Sequence, residues 1–181
     1  TVSAVLASEE SSEFSPAGKI YTGRLNMAFQ LGSSAELELG GSALKGNGNH
    51  YEHHKDDIRL YGADFTLKFW PTTYRRFTLS GEYMHLRREV PVATLNRDGL
   101  YLFANYRASK YWDYGARFDY SENALPSITY ERNYSLIATR HLTETTSLRA
   151  QYKHINLSGH RADEGWFQII FGLGPHSHEL E

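Results

Sequence analysis

What most constrains this chain is a two-residue alternation of apolar and polar side chains. It returns about every fifteen residues, in segments rich in Tyr, Phe, Leu and Thr. One set of alternate positions reads Tyr21, Leu25, Met27, Phe29, Leu31; Tyr61, Ala63, Phe65, Leu67, Phe69; Trp112, Tyr114, Ala116, Phe118, Tyr120; and Phe167, Ile169, Phe171, Leu173, with no charge among them. After a first segment at 1–8, the pattern predicts strands over 19–31, 34–44, 57–70, 74–88, 99–108, 111–121, 130–141, 144–156 and 164–174. The five prolines fall in the connections or past the last segment, as residues that cannot donate a ladder hydrogen bond should.

The intervening stretches sort by length. Residues 9–18, 45–56, 89–98, 122–129 and 157–163 read as long polar loops, and Gly32-Ser33, Pro71 to Thr73, Ser109-Lys110 and Leu142-Thr143 as short turns. Short turns on one rim and long loops on the other, with an even strand number, are the habit of bacterial outer-membrane barrels. Mean hydropathy is only -0.54, and the longest uncharged apolar run, 165–175, is half what a membrane helix needs. A barrel strand requires only about 9 to 11 residues with alternate ones apolar, so a polar average excludes the helical class alone.

Periodicity leaves open which face is inside, and a lipocalin-like soluble barrel would turn the polar face outward. The aromatics favour a bilayer. With strands run alternately up and down, Tyr21, Tyr61, Tyr83, Tyr120, Tyr134 and Tyr152 gather near the long-loop rim. Phe29, Phe69, Trp70, Tyr74, Phe77, Tyr106 and Trp112 gather near the short-turn rim. Rings settle at both headgroup levels of a membrane. The expectation is therefore all-β: a transmembrane antiparallel up-and-down β-barrel of about ten strands, one domain over 1–181, in the bacterial outer membrane and in contact with its lipid.

Composition narrows the partners. The absence of cysteine removes disulfide scaffolds and thiolate metal sites, and a formal charge of -2 offers no basic footprint for nucleic acid. The chain opens without Met or a signal-peptide pattern, which reads as a mature or excised form.

Five stretches carry a family resemblance: Leu37 to Gly40, Leu60 to Thr66, Gly81 to Tyr83, Tyr114 to Asp119, and Phe167 to His176. Together they resemble the C-terminal barrel half of a family of Gram-negative outer-membrane proteins often labelled zinc-regulated or TonB-dependent receptor-like. The resemblance runs from about Ile20 to His176 and implies a barrel. Receptor activity is not implied, since a true TonB-dependent receptor needs a plug and a barrel of about 22 strands.

The polar face supplies the first candidate site. Arg24, Lys68, Arg107, Arg117, Arg149 and Lys153 stand against Glu36, Glu38, Asp64, Glu82 and Asp119, and a narrow barrel holding them should be filled by paired charges. A second candidate is His50, His53 and His54, with Glu52, Asp56 and Asp57, where imidazole and carboxylate together could hold Zn²⁺. The resemblance to a zinc-associated family adds to that reading. His85, His154 and His160 lie near the loop rim with Ser158 and Asp163, but no motif ties them to a nucleophile. The expected function is a non-enzymatic barrel with a charged lumen for small-solute or metal-ion uptake. The alternatives are a structural or partner-binding barrel and a rim-loop hydrolase.

Overall fold

The computed structural model describes residues 2–7, 20–51, 54–90, 93–123 and 130–172, with the backbone alone for 2–7, 48–51, 54–56 and 90. Ten strands follow one another: β1 (Val2–Ala7), β2 (Ile20–Gln30), β3 (Ala35–Tyr51), β4 (His54–Phe69), β5 (Arg76–Val90), β6 (Ala93–Ser109), β7 (Trp112–Glu122), β8 (Tyr130–His141), β9 (Thr146–Leu157) and β10 (His160–Phe171). They form one sheet in chain order, each antiparallel to the next. No helix occurs among the described residues.

Three of the five long loops expected from the sequence, 45–56, 89–98 and 157–163, are largely strand, while 9–18 and 124–129 lie outside the described residues. Residues 45–51 and 54–57 pair with each other as β3 and β4, and 89–90 pair with 93–94 as β5 and β6. The segment around 158 is a two-residue turn in which Ser158 (φ 49°) and Gly159 (φ 97°) are both left-handed, matching the twist of the strands they join. Apolar alternation stops at residue 44, but backbone pairing does not need it. Lys45 faces Arg59 and Arg59 faces Arg87 across the ladders, while Arg59 and Arg87 hold Asp57 and Glu89 along their own strands at 2.5 and 2.9 Å. These ion pairs offset the repulsion that like charges opposite one another create.

Burial is inverted relative to a water-soluble domain. Among the described residues Ile58 is the one buried hydrophobic side chain, whereas Asn133, Ser135 and Thr139 are buried. Their neighbours on the other face of β8, Tyr134 and Leu136, are 54% and 63% exposed. With every described strand in one sheet, a face can be covered only by curling, so the sheet curls toward its polar side. Small residues on that side let side chains cross: Arg24 of β2 reaches Asp64 of β4 at 2.8 Å over Gly40 of β3.

A closed ring does not form among the described residues, because β1 pairs only with β2 and β10 only with β9. β1 has six residues and covers Ile20 to Leu25, which leaves both faces of β2 exposed from Asn26 to Gln30. β10 is exposed at every position but Glu164.

Candidate lumen site

The polar side of β5 to β9 lines a cavity of ≈ 680 Å³. Successive inward positions bring Glu82 from β5, Tyr101 and Phe103 from β6, Arg117 and Asp119 from β7, Glu131 and Asn133 from β8, and Arg149 and Lys153 from β9 to its wall. Register explains the grouping: Glu82 faces Tyr101, Tyr101 faces Asp119, and Asp119 faces Asn133.

Most of these charges are occupied with one another. Arg117 meets Asp119 at 2.7 Å and lays its guanidinium 4.8 Å from the Tyr101 ring centroid, a cation–π contact. Asn133 Nδ2 donates to Glu131 at 2.6 Å, and Lys153 stands 3.9 Å from the same carboxylate. Arg149 donates from Nε to the Thr139 hydroxyl at 3.3 Å and meets no carboxylate among the described residues. Glu82 meets no cation there. The Asn133 carbonyl oxygen is buried and accepts no hydrogen bond. A wall of this kind presents polar groups to whatever enters it.

Two further clusters lie nearer the opposite rim. Lys68 donates to Glu36 and Glu38 at 3.1 and 2.6 Å. Asp113 accepts from Arg107 Nε at 2.9 Å and sits 2.9 Å from His141 Nε2. The structure thus brings together Arg24 with Asp64, Lys68 with Glu36 and Glu38, and Arg117 with Asp119. Arg107 and Lys153 find Asp113 and Glu131, which were not among the charges singled out in the sequence. Strict alternation from Arg117 and Asp119 leads back to Asp113, and from Asn133 to Glu131, so the signal was present.

The other face carries a repeated arrangement that sequence reasoning did not assemble. Tyr83 donates to Asp98 at 2.6 Å with His85 Nδ1 2.8 Å from the same oxygen, and Tyr152 donates to Asp163 at 2.7 Å with His154 Nδ1 at 2.7 Å. The legible trace is Tyr-x-His, at 83–85 and again at 152–154. Ser158, considered beside His154 and His160, uses its hydroxyl to bind the backbone of Tyr130. The side chains of His50, His53 and His54 lie outside the described residues, as do those of Glu52 and Asp56. Elsewhere no group of three His, Asp or Glu is placed to hold a metal among the described residues.

Comparison of the chain with protein-family models, with curated proteins and with solved structures finds no match.

Proposed function

We propose that this chain is an outer-membrane barrel domain whose charged lumen binds a small polar solute on its way across the membrane. The inverted burial carries the proposal: between the two aromatic bands the side chains that face outward are apolar, and those on the inner face are mostly polar. A water-soluble monomer that displayed Leu136, Phe167, Ile169 and Phe171, each more than 60% exposed, would present a contiguous apolar surface and associate through it. Lipid removes that cost.

The register supports the same reading. Tyr21 faces Lys45 and Lys45 faces Arg59, two residues above Tyr61; Tyr61 faces His85, two above Tyr83. Tyr83 faces Leu100, which faces Tyr120; Tyr120 faces Arg132, two above Tyr134; and Tyr134 faces His154, two above Tyr152. The tyrosine band therefore slips eight residues over the seven steps from β2 to β9. Such a band stays level only when the strands tilt, as those of a membrane barrel do. Closure would join β10 to β1, whose free edges run in opposite directions, as antiparallel pairing requires.

Planar-bilayer recording of the refolded protein is the test. Paired lumen charges should give small, solute-sensitive currents, whereas a large steady open-pore conductance, or monomeric solubility without detergent, would overturn the reading.

A further inference from the structure

We infer that the cavity between β5 and β9 is a binding site for a zwitterionic solute of short-peptide dimensions, its ammonium end at Glu82 and its carboxylate end at Arg149. The inference rests on the reading of this face as a lumen. Of the six charged side chains in the cavity wall, four are engaged with each other as Arg117–Asp119 and Lys153–Glu131. Glu82 and Arg149 alone have no partner of opposite charge among the described residues, and they come from strands at the two sides of the cavity, β5 and β9.

A half-buried charge has lost part of its hydration, and without a partner nothing offsets that loss, so these two positions are where a ligand gains most by supplying one. The charges demand opposite ends. A simple anion would satisfy Arg149 and leave Glu82 repelling it, and a simple cation would do the reverse. A cavity of ≈ 680 Å³ would be roughly 11 Å across if spherical, within the range of small-molecule sites. An extended chain advances about 3.3 to 3.6 Å per residue, so a tripeptide separates its terminal charges by about 10 Å. Between those ends the wall offers the Gln151 side-chain amide and the Phe103 ring. A peptide N–H and a small apolar side chain match both.

Calorimetric titration of the detergent-folded protein with trialanine, N-acetyl-trialanine and trialanine amide tests the inference, using wild type, Glu82→Gln and Arg149→Gln. Glu82→Gln is isosteric and Arg149→Gln trims the side chain but leaves an amide donor, both at positions that make no ion pair among the described residues. An unchanged heat-modifiable gel shift shows that the barrel has formed. The expected result is binding of trialanine, a loss of at least tenfold on acetylation or amidation, and equal losses in the matching variant. Glu82→Gln should no longer distinguish trialanine from its acetylated form, and Arg149→Gln should no longer distinguish it from the amide. No binding of trialanine, equal affinity for the three peptides, or variants that discriminate as wild type does would overturn it. Folded, detergent-dependent protein that ignores trialanine refutes this inference alone, whereas a soluble detergent-free monomer refutes the barrel reading.

Discussion

At Gly40 a single hydrogen atom stands where any other residue would place a carbon against the carboxylate of Asp64. The Arg24–Asp64 pair passes over this position, so Gly40→Ala must displace it. The expected loss is about 1–3 kcal/mol, the usual cost of overpacking. Gly23 on β2 has open space around its Cβ direction, and Gly23→Ala should change stability by no more than about 0.5 kcal/mol. Urea unfolding of both variants in one detergent separates them, and equal midpoints would remove Gly40 from the account of curvature. Asp113 gives a second test at this scale. It holds both Arg107 and His141 while its own side chain is only 13% exposed, so Asp113→Asn should cost about 1–3 kcal/mol in the same assay. Asp113 shows how far the sequence could be read: its inward face follows from alternation, but its partners follow from register, which a one-dimensional pattern does not contain.

Strand existence was legible because apolar alternation is long and clean on β2, β4, β7 and β10. Strand ends were not. At 45–51 and 93–98 neither face is apolar, so the alternation that marks a strand disappears while the hydrogen-bond ladder continues. The loops expected at 45–56 and 89–98 came from that loss of signal. The outward face makes its own prediction at this scale. Leu136 lies between the two aromatic bands, and Leu136→Arg should destabilise the bilayer-inserted protein by about 2–4 kcal/mol, against about 0–1 for Tyr61→Arg in the tyrosine band. On a face bathed in water the two substitutions would be equally mild. Equilibrium unfolding from lipid vesicles therefore decides which solvent the face meets.

The molecule as a whole is defined by how far neighbouring strands slip past one another. The tyrosine band drops eight residues in seven steps, about 1.1 residues per step. At a rise of about 3.3 Å per residue and a spacing of about 4.8 Å between strands, that slip sets the strands at about 38° to the axis normal to the band. Membrane barrels tilt their strands by about 35–45° because closure fixes a stagger, so the angle read from the tyrosines and the angle required by closure agree without having been matched. The lower band moves the same way: Phe29 faces Leu37 and then Leu67, two residues above Phe69, and Phe69 faces Phe77 and then Tyr106. Tyr106 in turn faces Tyr114, two residues above Trp112. Polarised infrared dichroism of the protein in oriented bilayers measures this tilt directly. The expected amide bands correspond to strands inclined by about 35–45° to the membrane normal. Strands lying in the membrane plane would mean that the apolar face rests on lipid without spanning it, and the tyrosines would then mark a surface rather than a depth.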